Sequence, residues 1–211
     1  MSLREPTLPE SRVDLVLIAG MIERGARVLD VGCGDGQLLG LLRHEKGVDG
    51  RGIDVERENV ARCLRQGLSV IQGDADSDLD GYPDGAFDVV ILSQTIQATR
   101  RPKAVIENLV RIGRKAIVTF PNFAHWRVRA QLVAFGRMPV TRTIGYRWYD
   151  TPNIHLCTIK DFADLAAEVG VDASRLVGLD RQGRPFDERW PIAAMNLVAP
   201  QALFVLEKRR G

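Results

Sequence analysis

The chain has 211 residues, 45% of them hydrophobic, and a formal net charge of +2. That length and composition suit one folded domain with a full core and exclude a disordered chain. So small a net charge excludes a molecule built as a whole for nucleic acid or anionic membranes, and the apolar run 15–21 is too short to span a bilayer.

Bracketed by Asp14 and Glu23, the run 15–21 is expected to be an amphipathic helix. From Arg27 onward short apolar runs alternate with helical stretches. Strand 27–31 leads into helix 37–44, a short strand at 51–53 precedes helix 56–66, and a third strand covers 69–71. Pro83 and Asp84 mark a turn before strand 87–92. Pro102 opens a helix to about 111, and Pro121 stops a fifth strand, 115–120. A helix-like stretch runs from His125 to Phe135, followed by a loop with Gly136, Pro139 and Gly145. Residues 158–169 read as helix, 175–179 as strand, 183–200 as irregular and 202–206 as a last strand. The whole, 1–211, is expected to be one domain with a lid or insertion at about 122–157.

Val28-Leu29-Asp30-Val31 and Val89-Val90-Ile91-Leu92 are nearly continuous apolar runs, which suits parallel strands covered on both faces. Their alternation with helices implies right-handed crossovers and an α/β, doubly wound, mostly parallel sheet. Cys33, Cys63 and Cys157 form no CxxC pair, and residues 1–12 lack a signal-peptide core. Both features read as a cytoplasmic protein with reduced thiols.

The informative stretch is Val28 to Gly36, in which Gly32, Gly34 and Gly36 follow a strand and open a helix. Glycines there allow a sharp turn and a close ligand approach, and the helix N-terminus offers N–H donors. A dinucleotide site would want a glycine where Gln37 stands, and Asp30 would repel a pyrophosphate. An ammonium group favours a nearby carboxylate, so the loop suits a sulfonium amino-acid nucleoside, S-adenosylmethionine or its product S-adenosylhomocysteine. Asp54 ends the second strand, where a carboxylate can accept from both ribose hydroxyls. Asp74 follows the third strand and could accept from an adenine amine, with a solvated acidic loop as the competing reading. Gln94, directly after the fourth strand, is expected at the cleft.

Order and spacing resemble a class I S-adenosylmethionine-dependent methyltransferase. Four segments are similar to the MetW family of bacterial methionine-biosynthesis proteins. They are Arg27 to Gly36, Ser93-Gln94-Thr95-Ile96-Gln97, Thr119 to Trp126 and Trp148 to His155. The resemblance covers most of residues 13–170. It implies a seven-stranded sheet of Rossmann-like type with an antiparallel last strand. It also implies a role beside homoserine O-acyltransferase in methionine synthesis, with S-adenosylmethionine sensed as the downstream metabolite. The alternative is a methyltransferase acting on an unidentified small molecule.

Between Glu107 and Asp150 there is no acidic residue, yet eight basic residues lie inside, Arg127, Arg129, Arg137, Arg142 and Arg147 among them. Mixed with Trp126, Phe135, Tyr146, Trp148 and Tyr149, they suit a lid or a protein interface, while the modest net charge argues against nucleic acid. No catalytic constellation stands out. His125 and His155 are the weak candidates for a general base, a satisfied structural histidine being the commoner outcome, and their spacing does not make a metal site. The apolar positions of 126–135 fall into two stripes, Trp126 with Ala130 and Val133, and Val128 with Leu132 and Phe135. Only one stripe can dock on the sheet, so the other is expected to meet a partner or the loop that follows.

Overall fold

The computed structural model describes residues 13–141 and 144–208. Residues 1–12 and Arg142 therefore lie outside the described residues. Seven strands, β1 (Arg27–Val31), β2 (Asp49–Asp54), β3 (Ser69–Gln72), β4 (Phe87–Ser93), β5 (Gly113–Pro121), β6 (Val171–Leu179) and β7 (Gln201–Lys208), form one sheet. Their spatial order is β3-β2-β1-β4-β5-β7-β6. The first five pair in parallel, and β7 runs antiparallel to both β5 and β6. This is the doubly wound, mostly parallel sheet expected, with its last strand reversed.

Helices cover both faces. α1 (Val13–Gly20) precedes the sheet, α2 (Gln37–Lys46) joins β1 to β2, and α3 (Arg57–Arg65) joins β2 to β3. α4 (Pro102–Ile112) links β4 to β5, α5 (Trp126–Phe135) and α6 (Ile159–Val169) lie between β5 and β6, and α7 (Ile192–Val198) precedes β7. Side chains alternate along a strand, so β1 sends Leu29 and Val31 into one core with α4 and α6. Val28 enters the opposite core with Leu15 and Ile18 of α1 and Leu38 and Leu42 of α2. Three rings pin α6 to the sheet: Phe162 lies 4.7 Å from both Phe120 of β5 and Phe204 of β7. Strand order reverses between β1 and β4, which opens a crevice outside their carboxyl ends.

Three expectations needed correction. Residues 183–200 are not irregular throughout, because α7 occupies Ile192–Val198. β6 begins at Val171 rather than at 175; after the buried Val171 its first half is exposed and irregular at Ala173 and Arg175, so no apolar run marks it. Pro121 does not stop β5 but ends it from within, opposite Gln201.

Asn122 fixes the chain just beyond Pro121. It is buried, and its amide donates to Asn196 O at 2.8 Å and Ala199 O at 2.7 Å while its oxygen accepts the Ala124 N–H at 3.0 Å. One side chain thus satisfies carbonyls left over at the end of α7.

Candidate functional site

Gly32, Gly34 and Gly36 all adopt positive φ, at 72°, 57° and 81°. At Gly32 a Cβ would also lie 2.6 Å from the Thr95 hydroxyl, so the loop cannot close over β4 with any other residue. A Cβ on Gly36 would strike Leu68 and Cys63, making that position a packing requirement as well as the turn into α2. Asp30 is buried near the end of β1. Burial first, and then Asp30, push the neighbouring Cys33 thiol far above its ordinary range; Cys63 is raised by burial, so neither is a ready nucleophile.

Asp54, buried at the end of β2, is the hinge of the local structure. Its Oδ2 accepts the Gly34 N–H at 2.7 Å, and Oδ1 accepts the Glu56 N–H at 2.9 Å and the Asn59 amide at 3.1 Å. A carboxylate has about four acceptor positions, so roughly one remains for a hydroxyl without rearrangement. Asp74 is tied into its own loop. Its N–H donates to Asp78 Oδ2 at 2.8 Å, and its Oδ1 accepts the Asp76 N–H at 2.8 Å. The Asp74 N–H first, and second the Ser77 hydroxyl, which donates to Asp78 Oδ1 at 2.8 Å, hold the Asp78 carboxyl below the usual carboxylate range.

Gly32, Asp54 and Asp74 line one cavity of about 410 Å³ at the carboxyl ends of β1, β2 and β3. That is the size range of small-molecule sites. Its walls also include Glu56, Asn59, Asp76, Thr95, Thr99, Arg100 and Pro152. Four carboxylates against one arginine suit a cationic or neutral ligand and oppose a pyrophosphate. The cavity does not collect every predicted residue: Asp30, Gly34, Gly36 and Gln94 are not in its wall. Gln94 sits at the tip of β4 in the left-handed region, φ 56°, with its N–H donating to Thr119 O at 2.9 Å. A second recess of about 410 Å³ lies where the strands begin, beside Arg24, Asp88, Arg114 and Lys115, and holds none of the motif residues.

The cavity walls are stitched together. Asp76 accepts the backbone N–H groups of Arg100 at 2.7 Å and Arg101 at 2.8 Å, joining the loop after β3 to the start of α4. Across the opening, Ile154 and His155 both donate their N–H groups to Gln97 O at 2.9 Å, which brings Pro152 to the wall. Glu56 and Asn59, one turn past Asp54, escaped notice in the sequence although the helix start after β2 could have flagged them. Arg100 and Pro152 carried no such signal.

Neither histidine reaches the cavity wall. His125 is buried and caps α5, its Nδ1 accepting the Arg127 N–H at 3.3 Å. Burial, followed by the Arg127 and Arg181 cations, holds its imidazole below the ordinary value. His155 is exposed, and its backbone rather than its ring makes the contact to Gln97. Among the described residues no cluster of three or more metal-ligating side chains occurs, and no helix is long and apolar enough to cross a membrane.

Comparison with known proteins places this geometry. Residues 12–206 match the family described as "Methionine biosynthesis protein MetW". The bifunctional methionine biosynthesis protein MetXA/MetW of Rhodopirellula baltica is 35% identical over 178 residues, which are 79% of this chain and 29% of that protein. A phosphatidylethanolamine N-methyltransferase of Cereibacter sphaeroides is 35% identical over 111 residues, 48% of this chain and 53% of the enzyme. The chain thus spans under a third to about half of these relatives. Among solved structures, the [4+2]-cyclase SpnF superposes with a TM-score of 0.66 at 21% identity, covering 96% of this chain and 82% of that one. The plantazolicin methyltransferase BamL, solved with S-adenosylhomocysteine, gives 0.63 at 17% identity, covering 95% and 85%. At such identities these two show a shared fold, that of class I methyltransferases. With nearly its whole length matched, the chain belongs to the MetW family of methionine-biosynthesis proteins.

Proposed function

We propose that the chain binds S-adenosylmethionine and S-adenosylhomocysteine in the acid-lined cavity and acts beside a homoserine O-acyltransferase in methionine synthesis. The observation that carries the ligand is the convergence of Gly32, Asp54 and Asp74 on one cavity of suitable size and charge. Asp54 would take a ribose hydroxyl while holding the glycine loop, Asp74 the adenine amine, and residues 122–157 would serve as a lid whose Pro152 borders the cavity. Asp30, Gly34, Gly36 and Gln94 would shape or flank the site rather than form its wall. The partner is suggested by the relative from Rhodopirellula baltica, whose name joins MetXA to MetW.

A methyltransferase on a small molecule is the second reading, favoured by relatives named as N-methyltransferases. Against it, no histidine stands in the cavity wall to activate an acceptor. Calorimetry tests the first part: both sulfur nucleosides should bind and NAD should not. Asp54→Ala should weaken binding about tenfold or more, since a hydrogen bond to a charged group is worth about 1.5–3 kcal/mol. Tighter binding of NAD than of either nucleoside would overturn it. Enzyme-dependent conversion of S-adenosylmethionine to S-adenosylhomocysteine with homoserine or its esters as methyl acceptor, with a methylated product by mass spectrometry, would favour the second reading.

A further inference from the structure

α5 and the loop after it carry a dense run of exposed apolar side chains. One flank is covered, as expected for part of the helix. Val128 is buried and shares a small crevice with Ile144, which the following loop brings back over it. The other flank is bare. Val133 is 87% exposed and Phe135 73%, and Leu132, Met138 and Val140 around them are exposed at 43% to 53%. The returning loop therefore covers only Val128 at the start of one stripe, and leaves Leu132 and Phe135 of that stripe open together with Trp126, Ala130 and Val133 of the other.

A helix that docks only on its own sheet turns polar residues outward. Here large apolar side chains face outward instead, the feature that marks interaction sites on protein surfaces. Charge selects the occupant. Arg127, Arg129, Arg137 and Arg147 are exposed on this segment, and no acid occurs between Glu107 and Asp150 to offset them. A second copy of the chain would set arginine against arginine across a two-fold axis. A few scattered arginines around a broad apolar centre are poor for nucleic acid, whose affinity rests on many phosphate contacts. The Rhodopirellula baltica relative moreover carries its whole 178-residue match within a longer chain, of which that match is 29%.

We propose that the exposed C-terminal end of α5, around Leu132, Val133 and Phe135, is the docking surface for the acyltransferase, which would meet it with an apolar centre and an acidic rim. This rests on the partner named under the proposed function. Glutamate is a better helix former than valine, so Val133→Glu should leave α5 intact. Calorimetry and gel filtration with the purified homoserine O-acyltransferase of the same organism provide the test. Val133→Glu and Phe135→Glu should each weaken the complex at least tenfold, with unchanged affinity for S-adenosylhomocysteine. Arg137→Glu should weaken it a few-fold, by less as salt is raised.

Should either glutamate variant fail to fold, a photo-cross-linking residue at position 133 keeps the question open to answer: a cross-link to the acyltransferase supports the surface, and its absence in a formed complex overturns it. A native chain that does not bind the acyltransferase overturns the partner reading itself. A native complex that both glutamate variants match in affinity overturns only the docking surface. Loss of self-association or of binding to phosphatidylglycerol vesicles in Val133→Glu, with acyltransferase binding intact, would assign the face to another occupant and overturn the proposal too.

Discussion

Gln94 holds a backbone conformation that glycine would adopt more cheaply, and what keeps it there is the bond from its N–H to Thr119 O. Non-glycine residues in the left-handed region cost about 1 kcal/mol or more, and such strain gathers at functional sites. Gln94→Gly is therefore expected to gain about 1 kcal/mol of stability while binding S-adenosylhomocysteine more weakly, read by urea unfolding and calorimetry. Unchanged affinity would remove Gln94 from the site. His125 makes a second case. Its folded pKa lies below the unfolded value of about 6.5 because burial disfavours the cation. The fold thus prefers the neutral ring: this contribution is complete above about pH 6.5 and is lost as pH falls through the folded value. Asparagine can still cap α5 but does not titrate, so His125→Asn should flatten the acid-side loss of stability between pH 7.5 and 5.5. An equal loss in both proteins would place the titration elsewhere.

At the scale of elements, legibility followed the physics of each signal. The stretch from β1 through Gly36 into α2 was readable because a buried apolar run, three glycines with positive φ and a helix start constrain one another. Asp54 was readable from its place at the end of β2, but its bond to the Gly34 N–H was not, since loop curvature sets it. α7 was hidden because Trp190 and Pro191 precede it and only seven residues form it. The role of Asn122 was equally hidden, as its partners Asn196 and Ala199 are more than seventy residues away. α6, by contrast, was expected over 158–169, and the structure adds that Thr158 and Asp161 close its start with a reciprocal capping box. Its anchor is Phe162, whose ring touches β5 and β7 together. Phe162→Ala should cost about 3–5 kcal/mol, by denaturant unfolding, as large aromatic deletions in cores do. A loss under about 1 kcal/mol would mean that α6 is held elsewhere.

For the molecule as a whole, a ligand that binds only the folded state must raise its stability. Free S-adenosylhomocysteine at a hundred times its Kd adds about 2.7 kcal/mol. For a chain of this size that is a rise of about 5–10 °C in Tm. NAD should give no shift, and Asp54→Ala should show a reduced one at the same nucleoside concentration, both read by thermal melting. A nucleoside with no effect at millimolar concentration would rule out the cavity as its site. Charge is also arranged at this scale. The loop carrying Asp74, Asp76, Asp78, Asp80 and Asp84 stands against a stretch of forty-two residues, 108–149, without an acid, although the total is only +2.

The carboxylate of Asp76 has a consequence for how tightly a small molecule can be held. By receiving the N–H groups of Arg100 and Arg101, it closes a ring through the chain from position 76 to position 100. Two sides of the cavity thereby lose their freedom to drift apart when the chain folds, not when a guest arrives. The entropy of arranging them is already spent, so more of each contact with the guest is left to appear as affinity.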